Sequence, residues 1–359
     1  RPVAPGGMIS FAGSDITRGE VVLRPGIILG ARETGVLAAI GRAAALVHRR
    51  PRIGVLSTGD EIVAPGEPLA PGQIHDCNQT LLADACAELG ALPLRLGIAR
   101  DRDDELRAAL HAALHTHACD LVLLSGGTSK GAGDLSFAAV AALPGPAPGL
   151  PAICVHGVAL KPGKPLCLAA TAVGPRRVPI AVLPGFPTSA LFTFHEFVAP
   201  LLRALAGLPP ARAEALPARL AHDLSSERGR REYVLVQLLA PADPADPAPS
   251  VPVQTDMSPP TLSSPVATDM SLPPLHTPVS ADSSANLPVA LPIGKGSGSV
   301  TAFCRADGFI AVPRQQERLD AGERVMVIRS SPGGLAPDLL IVGSHCTGLE
   351  LLADRLHAA

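Results

Sequence analysis

The sequence is poor in aromatic residues, in net charge and in long apolar runs. Tryptophan is absent, there is one tyrosine, and the aromatic fraction is 3%, so small aliphatic side chains must form the cores. The net charge of -2 at pH 7 argues against a broad surface for nucleic acid or for an anionic membrane. Because no apolar run is long enough to cross a bilayer, we also expect no membrane span. Any site for an anion must therefore be local.

The seven cysteines do not have the spacing of a metal site. They stand far apart along the chain, and no two of them form a Cys-x-x-Cys motif. We interpret them as scattered core thiols, which are typical of a reducing compartment. The sequence therefore predicts a cytoplasmic protein whose cysteines hold no metal.

Lysine is also scarce, and the positions where it occurs are informative. Arginine carries the positive charge elsewhere, whereas every lysine lies in a short glycine-rich segment, at Lys130, Lys161, Lys164 and Lys295. Glycine-rich loops expose backbone N–H groups, and lysine adds a compact point charge. We therefore expect these loops to hold an anion.

Residues 51–207 alternate between strand and helix patterns. The predicted strands are 53–56, 92–98, 121–124 and 178–183, and the predicted helices are 78–89, 103–115 and 188–205. Asn78 is expected to cap the start of the first of these helices, and Gly90 its end. Such alternation is typical of a doubly wound α/β domain with a parallel sheet, which places ligands at the carboxyl ends of its strands.

A small β-barrel-like domain is predicted for residues 208–329. Its strands are expected at 233–238, 300–303, 308–312 and 324–328. Residues 240–285 interrupt this domain with a segment that is rich in Pro, Ser and Asp and has no Lys or Arg. Such a segment buries too little apolar surface to offset its ordering entropy, so we predict a disordered insertion.

Two shorter regions flank these domains. Residues 1–50 contain a predicted strand at 20–23 and a predicted helix at 31–40. This is too little to fold alone, and we interpret it as the remnant of an N-terminal region. Residues 330–359 predict a further strand, turn and helix between 338 and 357.

Two loops of the α/β domain offer groups that bind a metal ion and a phosphate. Asp60 and Glu61 are adjacent carboxylates in a glycine turn, and Mg²⁺ prefers oxygen ligands of this kind. The segment Ser125–Asp134 offers hydroxyl groups, bare N–H groups and Lys130 at the start of a predicted helix. The field at the start of a helix favours an anion.

Two proline-containing loops point to the same kind of chemistry. Lys161-Pro-Gly-Lys-Pro165 is stiffened by its prolines and holds two ammonium groups near each other. These groups should repel unless an anion sits between them, so replacing either lysine should slightly stabilise the free protein. Pro184-Gly-Phe-Pro187 ends a predicted strand and precedes a helix, whose first N–H groups lack partners within the helix.

Taken in order, these loops resemble those of the MoeA family, which is shared with the E domain of gephyrin. The similarity is carried by Leu56-Ser-Thr-Gly-Asp-Glu-Ile62, Asp76-Cys-Asn78, Ser125-Gly-Gly-Thr-Ser129, Lys161–Pro165, Leu183-Pro-Gly-Phe-Pro-Thr-Ser189 and Gly294–Ser299. The family inserts molybdate into adenylylated molybdopterin with Mg²⁺ and releases AMP. The resemblance therefore implies Mg²⁺, molybdate and adenylylated molybdopterin as ligands. It also implies a homodimer for the full-length protein and a MogA-type protein as a partner.

The resemblance implies a role for each matching residue. Asp60, Glu61 and Asp134 would serve catalysis at the metal and the pyrophosphate. Lys161 and Lys164 would act on the molybdate side, together with Ser189, Arg230 and Ser299. The remaining cofactor-binding residues would be Asn78, Ser125, Gly126, Gly127, Thr128, Ser129, Gly131, Pro184 and Pro187.

The sequence also departs from the family pattern. Phe186 replaces the small polar residue common in the family's Pro-Gly-Asn-Pro turn. We expect the usual N-terminal lobe to be mostly truncated, and the tail is similar to the start of a periplasmic-binding-protein-like domain.

Two alternatives stay open. One is a MogA-type molybdopterin adenylyltransferase that consumes ATP, which the predicted β domain and the loop 161–165 disfavour. The other is a non-catalytic module that binds an oxyanion or a protein partner, which the acidic and basic loops disfavour.

Overall fold

The computed structural model describes residues 2, 4–126, 135–211, 214–239, 287–294 and 300–329. Contacts divide the chain into a first unit, Arg1–Val158 with Gly163–Arg212, and a second unit, Ala159–Pro162 with Ala213–Ala359. None of the helices within the described ranges combines the length and the apolar character needed to cross a membrane.

The first unit is built from helices and one large sheet. Its helices are α1 (Ala31–Ala39), α2 (Asn78–Glu88), α3 (Asp103–His111), α4 (Leu135–Ala141), α5 (Pro187–Thr193) and α6 (Ala199–Leu205). A π-helical turn, Ala112–Thr116, continues α3, and another, Phe194–Val198, joins α5 to α6. Its strands are β1 (Arg52–Thr58), β2 (Ile62–Val63), β3 (Ile74–His75), β4 (Leu92–Ala99), β5 (Leu121–Ser125), β6 (Ile153–His156), β8 (Cys167–Val173) and β9 (Arg176–Leu183).

Six strands form this sheet in the order β4-β1-β5-β9-β8-β6. The first four are parallel, as predicted, whereas β8 and β6 are antiparallel to their neighbours. The prediction of a purely parallel sheet is therefore wrong at one edge. Only Gly174 and Pro175 separate β8 from β9, and a parallel crossover needs a dozen or more residues.

Helices cover the parallel strands on both faces. On one face, α3 and α4 contribute Leu106, Leu110 and Val140 to a core that includes Leu56 and Leu124. Because side chains alternate along a strand, the neighbouring positions face the other way, where α2 contacts β1, β4 and α5. This arrangement confirms the predicted doubly wound α/β fold.

The predicted helices of this unit are confirmed, and one predicted strand is wrong. The helix expected at 31–40 is α1, and Gly90, with φ of +80°, follows α2 in the left-handed conformation that ends many helices. Residues 20–23 form no strand. The Glu20 N–H group donates instead to the Thr17 carbonyl oxygen in a turn. The β-propensity of these residues is not sufficient to form a strand, because a strand needs a partner strand for its hydrogen bonds.

The second unit is a closed barrel. It contains β7 (Leu160–Lys161), β10 (Ala215–Leu220), β11 (Leu224–Ser225), β12 (Arg231–Leu239), β13 (Val289–Pro292), α7 (Val300–Arg305), β14 (Gly308–Val312), β15 (Arg318–Leu319) and β16 (Arg324–Arg329). The order β13-β10-β16-β14-β12 closes because β12 also pairs with β13. Alternate residues such as Val234, Val236 and Val327 fill its interior. The predicted small β-barrel is therefore confirmed.

The strand predicted at 300–303 is wrong, because these residues begin helix α7. Val, Thr and Phe in this segment favour a strand by propensity. The five barrel strands, however, pair with one another all the way round, and β7 pairs with the remaining part of β12, so the barrel offers no free edge to residues 300–303. The segment therefore forms its hydrogen bonds locally, as a helix beside β12.

Several predictions lie outside the described residues. These are the insertion 240–285, the tail 330–359, and the site residues Gly127, Thr128, Ser129, Lys130, Gly131, Asp134, Lys295 and Ser299.

Candidate functional site

The strand order of the first unit creates a crevice between β1 and β5. From β1 the chain passes to β4 on one side and then returns to β5 on the other. In open α/β sheets, such a reversal opens a crevice outside the carboxyl ends of the two strands, where ligands bind. Here these ends are Thr58 and Ser125, which places two of the predicted loops at the crevice.

The loops after β1 and β5 are joined by hydrogen bonds. Thr58 Oγ1 donates to the Ser125 carbonyl oxygen over 3.4 Å and lies 3.3 Å from Ser136 Oγ. Gly126 follows with φ of +114°, and a Cβ atom there would collide with the Thr58 carbonyl oxygen. Glycine is therefore required at this position because of both its backbone conformation and the close approach of Thr58.

Asn78 connects a third loop to the same place. Its Nδ2 donates to Ser125 Oγ over 2.8 Å and to the Gly185 carbonyl oxygen over 2.7 Å. The prediction that Asn78 caps α2 is wrong. Asp76 takes that role, since its Oδ1 accepts the Gln79 N–H group over 3.0 Å. Asn78 is thus a positioning residue that fixes the β9 loop against the β5 loop.

Further contacts complete the convergence of the three loops. The Gly126 N–H group donates to the Leu183 carbonyl oxygen over 3.2 Å. Ser57, which is in register with Ser125, has a buried hydroxyl that forms no hydrogen bond within the described part of the chain. A buried hydroxyl without a partner needs a physical reason, and a polar ligand in the crevice would supply one.

Asp60 and Glu61 are exposed, and Asp60 borders a groove. Asp60 Oδ1 accepts the Asp101 N–H group over 3.2 Å, which ties the β1 loop to the loop after β4. The groove beside Asp60 measures about 630 Å³, and Arg100 and Arg102 also line it. Two carboxylates, Asp60 and Glu67, line this groove with the two guanidinium groups, and Arg102 also pairs with Glu105 at 3.3 Å. Groups of both signs suit a phosphate ester that binds with a metal ion.

The two carboxylates fit a Mg²⁺ ion in their chemistry. Both are exposed oxygen donors, and Mg²⁺ is usually bound by one or two carboxylates together with water and substrate phosphates. Within the described ranges, no group of three His, Cys, Asp or Glu side chains forms a complete metal site. Asp134, the third predicted metal ligand, lies outside those ranges.

The loop between β9 and α5 carries three predicted residues in different environments. Pro184 is buried, Pro187 begins α5, and Ser189 is buried in its first turns. Phe186, between them, is 60% exposed. An exposed aromatic ring therefore stands where the family usually has a small polar residue. Lys164, in the same unit, is exposed.

The second unit has its own cluster of charged residues around Lys161. Lys161 Nζ lies 2.8 Å from Glu227 Oε1 and 3.4 Å from Glu232 Oε1. Glu227 Oε2 lies 3.5 Å from Arg230 Nη1, and Ser226 Oγ donates to Glu232 Oε2 over 2.8 Å. The structure therefore brings together two predicted oxyanion ligands, Lys161 and Arg230, on one carboxylate.

Carboxylates of the protein compensate the charge of Lys161. Burial lowers the pKa of Lys161, but the hydrogen bond to Glu227 and the charge of Glu232 outweigh this effect, so the pKa of Lys161 is raised. The expectation that its charge is balanced only by a bound anion is wrong. An oxyanion that reaches Lys161 and Arg230 must compete with a carboxylate that is already there.

Sequence reasoning missed the residues that support the site. Thr58 was part of a recognised loop, but its contact with Ser136 spans 78 positions. Glu227 and Glu232 have no motif of their own. A signal was available, since both flank Arg230 in a short segment, Glu227-Arg-Gly-Arg-Arg-Glu232, of alternating charge.

Two protein families match the chain, one in each of its domains. A family described as "Probable molybdopterin binding domain" matches residues 54–204, a range that runs from β1 into α6 and contains the crevice. A second, described as "MoeA C-terminal region (domain IV)", matches residues 276–329, which include the last strands of the barrel. The chain thus combines an α/β domain of the molybdopterin-binding type with a MoeA C-terminal domain.

Individual relatives agree with these matches. Molybdopterin molybdenumtransferase from Nostoc sp. is 34% identical over 228 residues, which cover 64% of this chain and 50% of that protein. Molybdopterin molybdenumtransferase 2 from Mycobacterium tuberculosis is 36% identical over 237 residues, or 64% and 55% of the two chains. The crystal structure of a molybdopterin biosynthesis MoeA protein from Pyrococcus horikosii aligns with a TM-score of 0.60 and 33% identity, covering 85% of this chain and 60% of that one.

The chain thus matches the MoeA family over both of its domains, as its loop pattern predicted. It spans about half the length of the curated relatives that it matches.

Proposed function

We propose that this chain is the substrate-binding part of a molybdopterin molybdenumtransferase. The reaction would insert molybdate into adenylylated molybdopterin and release AMP with the help of Mg²⁺. The observation that carries this proposal is the convergence of three loops: Thr58 joins the β1 loop, which carries Asp60, to the β5 loop, and Asn78 joins the β5 loop to the β9 loop. Relatives named for this activity are 34% and 36% identical to the chain over 64% of its length.

The first unit would bind the pterin phosphate and the adenylate. Ser125 and Gly126, with Thr128 of the following segment, would offer hydroxyl and N–H donors to the pterin phosphate. Asp60 and Glu61, with Asp134, would hold Mg²⁺, which screens charge on phosphate oxygens and eases departure of AMP. The groove with Arg100 and Arg102 would receive the phosphate of the departing nucleotide.

The second unit would present cations to molybdate. Lys161 and Arg230 lie on either side of one exposed carboxylate and would hold the oxyanion together with Ser299 of the same unit. Two anionic reactants meet in this reaction, so cations are needed to reduce their mutual repulsion. We further propose that the full-length protein is a homodimer in the cytoplasm and receives its substrate from a MogA-type partner.

Release of AMP tests this proposal. The chain is incubated with adenylylated molybdopterin, Mg²⁺ and molybdate, and AMP is measured with and without molybdate. We expect molybdate-dependent release that Asp60→Asn abolishes. Asp84→Asn is the matched control, because Asp84 is an exposed carboxylate on α2 that pairs with Arg95 at 3.0 Å. Equal turnover of the two variants would remove Asp60 from the reaction.

The same assay separates the two alternatives. A MogA-type adenylyltransferase would consume ATP and would not need molybdate. The closed barrel that follows the α/β unit and the MoeA C-terminal match favour the molybdenumtransferase. A binding module without catalysis would bind molybdate and release no AMP.

A further inference from the structure

We propose that Glu227 is a specificity-determining residue of the oxyanion site, where its carboxylate occupies the place that the oxyanion takes. This inference rests on the proposed function, since it assumes that Lys161 and Arg230 bind molybdate. It adds a competitor from within the protein, which the incoming anion has to displace.

The geometry of Glu227 matches that of a bound oxyanion. One carboxylate oxygen lies 2.8 Å from Lys161 Nζ, and the other lies 3.5 Å from Arg230 Nη1. A tetrahedral oxyanion would use two of its oxygens in the same way. Both cations are only partly exposed, at 29% and 36% of their side-chain surface, so an anion between them is partly shielded from water and is bound more strongly than on an open surface.

The two carboxylates beside Lys161 differ in their freedom to move. The Glu227 side chain is 58% exposed and lies on the connection between β11 and β12. Glu232 is 2% exposed, belongs to β12, and is held by the Ser226 hydroxyl over 2.8 Å. Glu232 is therefore the more firmly held of the two carboxylates, and it keeps Lys161 in position when an anion displaces Glu227.

The charges of these four side chains predict which anions can displace Glu227. Lys161 and Arg230 contribute two positive charges, and Glu227 and Glu232 contribute two negative ones, so their sum is zero. When Glu227 swings out, the sum becomes +1. A monoanion such as chloride has the same charge as the carboxylate that it must displace, whereas molybdate carries twice that charge and, at the same distances, is attracted about twice as strongly by the remaining positive charge. Glu227 therefore competes effectively with chloride and similar monoanions and less effectively with dianions.

Isothermal titration with molybdate at neutral pH tests this inference on the whole chain. Glu227→Ala removes the competitor, and Glu227→Gln removes its charge while keeping its size. Glu317→Ala is the matched control, because Glu317 is 62% exposed and lies 3.9 Å from Arg228 in the same unit. A thermal melt of each variant checks that it is folded, and the titration is repeated at high chloride.

We expect both Glu227 variants to bind molybdate about tenfold more tightly, the change that corresponds to about 1.4 kcal/mol, and to lose part of this affinity in chloride. The wild type and Glu317→Ala should bind alike and resist chloride. If the wild type binds molybdate and the Glu227 variants bind it equally or more weakly, the inference is overturned while the proposed oxyanion site stands. If neither wild type nor variants bind molybdate, the oxyanion site itself is wrong, and the proposed function loses its molybdate side.

Discussion

Replacing Lys161 by methionine should destabilise the barrel, although the sequence pattern alone predicted the opposite. Methionine keeps an apolar stem but removes the ammonium group that lies 3.4 Å from the buried Glu232 carboxylate. The charge of Glu232 then loses a cation in a place that water hardly reaches, since the residue is 2% exposed. Relief of repulsion from Lys164, the basis of the sequence expectation, is a smaller effect because Lys164 is exposed and solvent screens its charge.

The size of the loss follows from the burial of the pair. Breaking a fully buried ion pair costs about 3–5 kcal/mol. Lys161 is 29% exposed, and the Ser226 hydroxyl still donates to Glu232 after the substitution. We therefore expect the free energy of unfolding of the barrel to fall by about 2 kcal/mol, below the range for fully buried pairs.

The assay can follow the barrel by itself. The chain has one tyrosine and no tryptophan, and that tyrosine, Tyr233, is buried in β12 beside Glu232. Urea unfolding followed by tyrosine fluorescence therefore reports on the second unit. Arg228→Met is the control, because the Arg228–Glu317 pair is 77% and 62% exposed and such pairs contribute about 0–1 kcal/mol.

Two results would refute this reasoning. One is an equal, small loss of stability in Lys161→Met and Arg228→Met. The other is a double variant, Lys161→Met with Glu232→Gln, that is no more stable than Lys161→Met alone, since neutralising the buried carboxylate should recover part of the loss. The pH dependence gives a further check. Because the pKa of Lys161 is raised above 10.5, its stabilisation is fully present below that pH and is lost as pH rises through the folded-state pKa.

Three further predictions concern the first unit. Asn78→Ala removes two hydrogen bonds in a buried position and should lower the free energy of unfolding by about 1–3 kcal/mol. Urea unfolding followed by circular dichroism measures this loss. An unchanged midpoint of unfolding would contradict the positioning role. Gly126→Ala should also lower the free energy of unfolding, by about 1–3 kcal/mol, because the added Cβ atom contacts Thr58 and the backbone has a positive φ. Wild-type stability of this variant in the same assay would show that the loop can adopt another conformation at no cost. Burial raises the pKa of the Cys86 thiol to about 12, so a thiol reagent should label the exposed Cys154 and Cys304 before Cys86. Stability from Cys86 should be lost as pH rises from 9 towards 12. Labelling of Cys86 at the rate of Cys154 in the folded protein would refute this.

The sequence predicted the fold best where a pattern is local and repeated. The helices of the α/β domain and its four parallel strands followed from hydrophobic periodicity and from caps such as Gly90. The antiparallel edge was missed because β8 is Cys-Leu-Ala-Ala-Thr-Ala-Val, in which alanine gives little strand signal. The strand predicted at 300–303 failed because closure of the barrel, a property of the whole unit, overrode its propensity.

The site was predictable as a set of loops but not as a network of contacts. Asp60, Ser125 and Lys161 were found because glycine and proline mark the loops that contain them. The partners of Asn78 lie 47 and 107 positions away, so a rule for helix caps could not identify its role. The acidic partners of Lys161 lie 66 or more positions away and become visible only when the barrel brings β7 beside β12.

The pairing of β12 with β13 has a consequence for the architecture of the barrel. Leu239, the last residue of β12, is in register with Val289, the first residue of β13. The chain therefore leaves the barrel and returns to it at one point on its rim. The free energy needed to close a flexible connection rises by only about 0.6 kcal/mol for each doubling of its length. This point is thus a site where one connecting segment can replace another. A short turn, a peptide tag or a reporter domain with adjacent termini could replace residues 240–285 without changing the order of the strands in the barrel.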